Sequence, residues 1–431
     1  MALVAIAAAL MGSLISAAVP ARPKVGAYYY AWYGDFRGGH SWDQTLRAHL
    51  VPPHEPATGQ YSSRSSEVIA AHIDQSRKAM IDFWAVSWWG PDSADDETLR
   101  QHLLAHSRMS ELEWAIHYES TGRLGKAETP RLDTMLADFR YLAKHYFHLP
   151  NYLKIDKRPV VFLYVAREYF NTPAARGAVA ELRRAMKSEF GYDPFLVGDD
   201  VFTEGVVAER ARLWDAITNF DIYGTVLQQG GSTTAAVQSL RTHFDRTHAA
   251  AAALDVGFIP TATPGFNDRA VRRGHAPATR YFTDDPQREE GALFRRILAE
   301  AVVPHVDPRV QNIFMVNSFN EWHEDTQIEA AAKAKATTDD DSGDNRYTTG
   351  HSYAGYGELY LELLRKAAAT PLLAGGDVDG DGDTDFQDFL RLQTNLGKAE
   401  GATRGDGDLD GDGDVDAQDY SILRGYFEGQ R

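Results

Sequence analysis

The chain has 431 residues, of which 43% are hydrophobic and 11% aromatic, so it is long enough to fold one large domain and a further small one. Its formal net charge is −17, and most of that excess lies in residues 377–431, where 13 Asp and 2 Glu stand against 5 Lys or Arg. The sequence has no cysteine, which excludes disulfides, thiolate nucleophiles and zinc–thiolate sites, and no basic stripe that would indicate nucleic-acid binding.

The N-terminal run 1–18 is apolar, rich in Ala and Leu, and ends in the small residues Ser16, Ala17 and Ala18. This length is short for a membrane span and typical of a secretory signal peptide, although no Lys or Arg precedes the run. A buried N-terminal helix is the alternative. We therefore predict a signal peptide over 1–18, with no membrane span after its cleavage, and a secreted protein that is extracellular or attached to a cell surface.

The body of the chain alternates between β-rich and helical patterns. The β-rich runs are 25–33, 83–90, 113–120, 158–165, 195–202, 217–224, 257–264 and 312–321. The helical patterns are 65–80, 132–146, 174–190, 235–254, 287–301 and 356–369. This alternation predicts an α/β fold, a (β/α)₈ TIM-like barrel over 22–370. A doubly wound open sheet is the alternative, but no Gly-rich nucleotide fingerprint follows the first strand.

A short break at 371–376 is predicted to be a linker, and an acidic repeat follows it over 377–431. Two loops with a 31-residue offset carry carboxylates at the spacing that wraps a chain around calcium, each with Gly at its sixth position. The predicted metal ligands are Asp377, Asp379, Asp381, Asp383, Asp385, Asp388, Asp408, Asp410, Asp412, Asp414, Asp416 and Asp419. The repeat therefore predicts two bound Ca²⁺ ions.

Each acidic loop precedes one amphipathic pattern, and no convincing helix comes before either loop. Tandem half-EF-hands of this kind resemble the dockerin type I family, which also has Asp at the twelfth loop position, here Asp388 and Asp419. The resemblance covers 377 to about 427 and implies an all-α module that docks to a cohesin-like scaffold protein. The alternative is a calcium-stabilised end domain with no partner.

A pair of carboxylates, Glu321 and Glu324, follows the last β-rich run, at the end of the barrel where active sites lie. Two carboxyl groups beside one bond are what glycoside hydrolysis requires, with one of them kept protonated as the acid. Such a pair is often only surface charge, but here Phe319, Asn320 and Trp322 surround it. The residues therefore point to a glycosidase.

The barrel resembles glycoside hydrolase family 99, the endo-acting α-mannosidases and mannanases, from about 25 to 366. The segments that carry the resemblance are 28–34, 59–63, 87–89, 116–119, 157–160, 320–324 and 326–329, the last two being the most specific. Departures occur at Asp325, Ala31, Ala330 and 118–120, where the family has Gly, Pro, Pro and Ile-Glu-Pro.

The family resemblance implies a mechanism without a protein nucleophile and without a catalytic cofactor. By analogy, Glu321 takes the proton of the sugar 2-hydroxyl, the 2-oxygen attacks the anomeric carbon, and Glu324 protonates the leaving group. Glu324 then activates the water that opens the 1,2-anhydro sugar, with retention of configuration. The substrate expected from the resemblance is an α-mannan or a related oligosaccharide.

Aromatic and polar residues at other predicted strand ends are candidates for substrate binding. They are Tyr30, Trp32, Tyr33, Trp88, Trp89, His117, Glu119, Tyr223, Arg280, Asn320 and Trp322. One tryptophan of the pair Trp88 and Trp89 is expected to pack in the barrel and the other to stack on a sugar, and the sequence does not distinguish them.

Two other functions remain open for the sequence. One is a related barrel glycosidase that acts on a different environmental polysaccharide. The other is a non-catalytic glycan-binding scaffold protein, against which the intact pair Glu321 and Glu324 argues, since a binding module needs neither.

Overall fold

The computed structural model describes residues 22–202, 205–223, 232–280, 282, 289–370, 372, 376–379, 384–409 and 413–429. The chain forms two compact units, Pro23–Ala369 and a second that contains Thr370–Arg431. The predicted signal peptide and most of the predicted linker lie outside the described residues, as do Asp381, Asp383, Asp410 and Asp412. Within the described part, no helix has the length and apolar character needed to cross a bilayer.

The first unit is built on a sheet of mainly parallel strands. In chain order the strands are β1 (Lys24–Tyr29), β2 (Phe83–Trp88), β3 (Glu113–Tyr118), β4 (Lys154–Ile155), β5 (Arg158–Leu163), β6 (Phe195–Asp199), β7 (Ala216–Thr218), β8 (Gly257–Ile259), β9 (Thr261–Ala262), β10 (Ile313–Val316), β11 (Ala334–Thr337) and β12 (Tyr353–Gly355). The short β4 pairs antiparallel with β5, while β11 and β12 form a separate antiparallel ribbon. The other nine strands are parallel neighbours in the order β8-β7-β6-β5-β3-β2-β1-β10-β9.

The two ends of this order, β8 and β9, are consecutive in the chain and are separated only by Pro260. β8 pairs with β7 and β9 pairs with β10, so the sheet closes on itself. Proline lacks the amide hydrogen that a strand donates to its neighbour, which accounts for the interruption. The (β/α)₈ barrel is therefore confirmed, with its seventh predicted strand split in two.

Helices cover the outside of the barrel. They are Ser66–Lys78, Ala94–Thr98, Ser120–Leu124, Leu132–His145, Ala166–Tyr169, Pro173–Phe190, Ala208–Ala211, Thr233–Ala253, Ala292–Arg296 and Leu359–Ala368, with π-helical turns at Leu99–Leu103 and Ile297–Val302. The helix predicted over 287–301 differs most from its prediction. Gly291 has a φ of 83°, which is not helical, so an α-helix begins only after it and continues as the second π-helical turn.

Local sequence signals explain where the longest helices begin and end. Thr172 caps the helix Pro173–Phe190 by accepting the N–H of Ala175, Pro173 occupies the first turn, and Gly191 ends the helix at a φ of 74°. Inside the barrel the strands are buried on both faces, as their apolar runs predict. Gly26 of β1 is required there, because a Cβ atom would lie 2.2 Å from the ring of Phe83.

The loop 317–329 leaves β10 and folds back on itself. Ser318 and Thr326 join its two arms through a backbone hydrogen bond of 2.9 Å, and Glu329 donates its N–H to Phe319 O at 2.8 Å. Asn320 fastens this loop to the end of β1 by pairing its amide with the backbone N–H and C=O of Tyr30, at 2.8 and 2.9 Å. The loop is therefore held at both arms.

The tip of this loop is fixed by a buried ion-pair cluster centred on Asp325. Arg47 donates its Nε to Asp325 Oδ1 at 2.6 Å, and Arg280 donates its Nε to Oδ2 at 3.1 Å. Arg280 Nη2 also donates to the backbone carbonyls of Asp325 and Gln327. All three charged side chains are at most 1% exposed, so Arg280, predicted to bind substrate, instead anchors the loop. Although burial opposes it, the charges of Arg280 and Arg47 hold the pKa of Asp325 below its ordinary value.

The second unit is a small helical module around the acidic loops. Helices Phe386–Asn395 and Ala417–Gly429 each follow one loop. Its buried hydrophobic cluster consists of Leu392, Val415 and Leu423. Gly413, the sixth residue of the second loop, has a φ of 94°, as the sharp turn of such loops requires.

The Asp325 cluster gives a stability prediction. Asp325→Ala leaves two buried guanidinium groups without their carboxylate, and we expect it to lower the free energy of unfolding of the barrel by about 3–5 kcal/mol. Asp325→Asn keeps a hydrogen-bond acceptor and should cost less. All 8 tryptophans lie between 32 and 322, so tryptophan fluorescence during urea unfolding reports on the barrel alone.

Asp35→Ala is the matched control, because Asp35 is exposed. A urea midpoint for Asp325→Ala that falls no further than that of the control would contradict the anchoring role.

Candidate active site

Glu321 lies on the first arm of the loop 317–329, and only one of its carboxylate oxygens is held by the protein. Oε1 accepts the backbone N–H of His323 at 2.8 Å and the hydroxyl of Tyr33 at 3.4 Å. Oε2 is buried and has no hydrogen-bond partner among the described residues. The backbone N–H of Glu321 donates to Ser318 Oγ at 2.8 Å, which fixes the start of the side chain. Glu321 is therefore oriented, with one oxygen free to act on a ligand.

Glu324 lies at the tip of the same loop, and 18% of its side chain is exposed. Its Oε1 is 3.4 Å from Arg272 Nη1, and its backbone carbonyl accepts the N–H of Asn267 at 2.7 Å. Burial and the negative charges of Glu321 and Asp221 raise the pKa of Glu324 well above its ordinary value. The raised pKa favours the protonated form of this carboxyl group, the form that can act as an acid.

A third carboxyl group, Glu119, follows β3 and is buried. Ser87 donates its hydroxyl to Glu119 Oε1 at 2.6 Å. Burial raises the pKa of Glu119 to about 8. The phenol of Tyr30 lies near all of these groups, since burial and the charges of Glu119, Glu321 and Glu324 together raise its pKa. The ends of β1, β3 and β10 thus meet at one polar site.

His117, the penultimate residue of β3, is buried against aromatic rings. It lies parallel to Phe220, with 5.5 Å between the ring centroids, and 4.6 Å from the ring of Tyr28. Neither nitrogen has a hydrogen-bond partner within the part of the chain that the structure describes. Burial lowers the pKa of His117 to about 3, so the ring is neutral. Its Nε2 is 3.8 Å from Glu119 Oε1, too far for a hydrogen bond.

The two tryptophans after β2 face different surroundings. Trp88 is fully buried and donates its indole N–H to Asp96 Oδ1 at 2.8 Å, so it packs in the barrel wall and offers no face to a sugar. Trp89 is half-buried and donates to Ser87 Oγ at 3.0 Å, beside Glu119. The candidate for sugar stacking is therefore Trp89.

Several other predicted substrate contacts have structural roles. Trp322 is buried and donates its indole N–H to Glu329 Oε2 at 2.8 Å. Tyr33 is buried, with its hydroxyl between Glu321 and the backbone N–H of Trp322. Asn320 is the buried clamp on Tyr30. These side chains support the loop that carries the carboxylates.

Trp32 and Tyr223 are the remaining aromatic candidates. Trp32 is nearly buried and lies parallel to His40 at 4.5 Å between centroids, and its Nε1 has no partner among the described residues. Tyr223 donates its hydroxyl to Asp221 at 2.8 Å and stacks on Phe266 at 4.0 Å.

The sequence reasoning missed the charged residues that surround Glu324. They are Asp221, Asp268 and Arg272. It also missed the role of Asp325, although that residue stood out as a departure from the family pattern. Asp221 and Asp268 lie past the ends of β7 and β9, so their position after predicted strands was the available signal.

The acidic loops of the second unit bring carboxylates together at two places. Ligand oxygens lie within 4.8 Å of one another in the groups Asp377, Asp379 and Asp388, and Asp414, Asp416 and Asp419. Oxygen-rich acidic clusters of this kind fit Ca²⁺. In each loop the twelfth residue also accepts a backbone N–H from the ninth, at 2.7 Å, from Asp385 to Asp388 and from Asp416 to Asp419.

Comparison with known proteins gives the same division of the chain. Residues 44–362 match the model of glycosyl hydrolase family 99, and residues 375–428 match the dockerin type I domain. Dockerin type I domains bind calcium, and glycoside hydrolases that carry them are typically extracellular or on the cell surface.

Similar proteins include the glycoprotein endo-alpha-1,2-mannosidase of Mus musculus, which is 25% identical over 79% of this chain and 73% of its own length. The glycoprotein endo-alpha-1,2-mannosidase-like protein of Homo sapiens is 26% identical over 79% of this chain and 74% of its own. Among solved structures, the GH99 endo-alpha-mannosidase from Bacteroides thetaiotaomicron in complex with BIS-TRIS-propane superposes with a TM-score of 0.56 at 20% identity, covering 80% of this chain and 94% of that one. The chain belongs to glycoside hydrolase family 99 and is a glycoside hydrolase that also carries a dockerin type I domain.

Proposed function

We propose that this protein is a retaining, endo-acting α-mannosidase or mannanase that hydrolyses internal α-mannosidic bonds through a 1,2-anhydro sugar. One observation carries the proposal. A single loop presents Glu321, with an oxygen that has no partner among the described residues, and Glu324, whose pKa is raised by burial and by the charges of Glu321 and Asp221. The relatives whose names include endo-alpha-1,2-mannosidase support the choice of sugar.

In the first step, Glu321 takes the proton of the 2-hydroxyl through its free oxygen. The 2-oxygen then forms a bond to the anomeric carbon while the glycosidic bond breaks, and Glu324 gives its proton to the departing oxygen. In an α-mannoside the 2-hydroxyl is trans to the leaving group, so the sugar supplies its own nucleophile on the opposite face. Two glutamates on one short loop suit this division better than a pair on opposite faces of the ring.

In the second step, the ionised Glu324 takes a proton from water as the water oxygen bonds to the anomeric carbon. The bond between that carbon and the 2-oxygen breaks, and Glu321 returns its proton to the 2-oxygen. Two inversions at one carbon give net retention. Glu119 is an unsuitable alternative nucleophile, because with a pKa of about 8 it is protonated at neutral pH. It is suited instead to donate a hydrogen bond to a sugar hydroxyl.

We propose that other residues predicted from the sequence bind the substrate around this reaction centre. Trp89 is suited to stack on a sugar ring, and we propose that Tyr30, Trp32 and Tyr223 contact the same substrate. His117 is suited to bind a sugar hydroxyl, since a buried imidazole with two unbonded nitrogens lacks the partners that buried polar groups normally have.

For the second unit we propose two bound Ca²⁺ ions, one in each acidic loop, and docking to a cohesin-like scaffold protein outside the cell. The dockerin type I match and the two clusters of carboxylates support this role. Secretion, by way of the predicted signal peptide, belongs to the same proposal.

The catalytic assignment predicts that Glu321→Gln and Glu324→Gln each lower kcat on an α-mannan oligosaccharide by about 10²-fold or more, because each removes a proton-transfer group. The urea midpoint followed by tryptophan fluorescence should change little. Glu55→Gln is the matched control, since Glu55 is exposed. Wild-type products should be oligosaccharides, released first as the α-anomer.

Full activity in either glutamate variant would contradict the assignment. Normal turnover of a substrate that lacks the 2-hydroxyl, or a trapped ester between sugar and protein, would contradict the anhydro-sugar pathway while leaving the glycosidase intact.

His117 gives a prediction in which activity and stability separate. His117→Phe keeps a flat ring beside Phe220 and removes two buried, unbonded nitrogens, so stability should be unchanged or improved. The kcat/KM should fall about 10-fold or more through the loss of a hydrogen bond to substrate. Activity and urea midpoints measure the two effects.

His72→Phe is the contrasting variant, because His72 is buried with its nitrogens 2.9 Å from Tyr29 Oη and 3.0 Å from Glu329 Oε1. It should lose stability. If His117→Phe is destabilised as much as His72→Phe, or keeps full activity, His117 is only a packing residue.

The calcium proposal predicts that EDTA unfolds the second unit alone. Without bound cations the crowded carboxylates repel one another, so metal binding supplies much of the folding free energy. Trypsin should then cut the full-length protein at Arg391, Lys398, Arg404 and Arg424, and calcium should protect these sites. Tryptophan fluorescence and activity on soluble substrates should persist.

Asp388→Ala, which alters one loop, should weaken the protection, whereas Glu400→Ala, an exposed residue between the loops, should not. Equal protection from trypsin with and without calcium would contradict the proposed role of calcium. Loss of activity on chelation would instead place a metal requirement in the barrel.

A further inference from the structure

The loop that follows β9 contacts Glu324 through both backbone and side chain. Asn267 donates its N–H to the carbonyl of Glu324 at 2.7 Å. Asp268, which is fully buried, accepts Arg272 Nη1 at its Oδ2 at 2.7 Å, and His275 Nδ1 lies 2.9 Å from the same oxygen. The same Nη1 atom of Arg272 is 3.4 Å from Glu324 Oε1. One guanidinium nitrogen therefore stands between two carboxyl groups.

Arg272 is about half exposed, so it does not hold its place by packing. The backbone hydrogen bond from Arg272 N to Asp268 O, at 2.7 Å, and the side-chain bond to Asp268 make a short closed turn. The carboxylate of Asp268 thus fixes where the Arg272 guanidinium can reach. In that position the guanidinium lies beside the carboxyl group of Glu324.

The groups facing Glu324 come from several elements. They are Glu321 on its own loop, Asp221 and Tyr223 after β7, Tyr164 after β5, Tyr30 after β1, and Asp268 with Arg272 after β9. Burial and the acidic groups all raise the pKa of Glu324, and Arg272 opposes them. The reaction needs both forms of this carboxyl, the acid when the leaving group departs and the carboxylate when water attacks.

We propose that Asp268 holds the Arg272 guanidinium against Glu324, so that this pair positions Glu324 and balances its successive roles as acid and base. The inference rests on the proposed function. When Glu324 gives its proton to the leaving oxygen, the carboxylate that forms already has a cation beside it. When that carboxylate takes a proton from water, the same cation is left with Asp268. Neither residue touches the sugar in this account, and both are positioning residues.

The test is the pH profile of kcat/KM for Arg272→Met, Arg272→Lys and Asp268→Asn in the full-length protein. The alkaline limb reports the deprotonation of the essential acid. Arg272→Met removes a cation that favours the carboxylate, so the limb should move up by about 0.5 pH units or more. Asp268→Asn removes an anion and frees Arg272 for Glu324, so the limb should move down. Arg272→Lys keeps the charge and should stay near wild type.

Arg273→Met is the matched control, since Arg273 is the exposed neighbour of Arg272. Its limb should not move. If Arg272 had only a structural role, its substitution would change the unfolding midpoint or lower kcat/KM equally at every pH. The alkaline limbs of Arg272→Met and Asp268→Asn would then not move in opposite directions. If Asp268→Asn does not fold, the contrast between the Met and Lys variants of the exposed Arg272 still decides the matter.

Glu324→Gln separates this proposal from the proposed function. Its residual activity should lack the alkaline limb. If the limb persists, Glu324 is not the titrating acid, and both proposals fall. If the limb disappears in Glu324→Gln but stays at the wild-type pH in Arg272→Met, the catalytic assignment stands and the role of Arg272 is overturned.

Discussion

The active site depends on one buried carboxylate that takes no part in the chemistry. Asp325 directly follows Glu324, and its φ of 50° turns the loop back toward the barrel. A non-glycine residue in this conformation is unfavourable by itself, so something must hold it. Arg47 and Arg280 do so from two distant parts of the chain.

This anchoring extends into the aromatic layer behind the loop. The guanidinium of Arg280 lies 5.1 Å from the ring centroid of Tyr356 and 4.8 Å from that of Tyr360. The guanidinium of Arg47 also lies 5.1 Å from the ring centroid of Tyr356, and Arg47 donates to the backbone carbonyl of Ala354. At this position of positive φ a glycine would be tolerated because it has no Cβ atom, whereas Asp325 is held there by its ion pairs. The difference is that the charge ties the tip to fixed neighbours, which a glycine cannot do.

Three carboxyl groups lie at the candidate active site, and their surroundings differ. Glu321 has one oxygen held by an N–H and a phenol, which fixes its direction. Glu119 has only the hydroxyl of Ser87 to offset its burial, so it keeps its proton near neutrality. Glu324 has like charges around it and the cation of Arg272 beside it, which suits the proposed exchange of a proton in both directions. Three glutamate side chains of the same chemistry are therefore suited to different roles because their neighbours differ.

The barrel could be predicted from the sequence because it follows from local patterns. Strand and helix periodicity located most elements to within a few residues, and the structure places the proposed pair Glu321 and Glu324 after β10, at a strand end as the sequence predicted. Side-chain direction beyond a strand end could not be predicted in the same way. Trp88 donates its indole N–H to Asp96, whereas Trp89 donates to Ser87 beside Glu119. Tertiary packing determines both partners. The same reason explains why Arg280 looked like a ligand contact.

The two units need different sources of stability. The barrel buries a large aromatic and aliphatic cluster, which is a major source of its stability. Among the described residues of the second unit, the buried hydrophobic cluster consists of Leu392, Val415 and Leu423, while the acidic loops are crowded with aspartate. So small a core cannot by itself offset the ordering of some fifty residues, about 1.5 kcal/mol for each. The acidic loops would oppose folding if their charges were left uncompensated, and they favour it once a divalent cation joins them. The charge that marks this segment in the sequence is therefore also the reason that we expect its fold to depend on calcium.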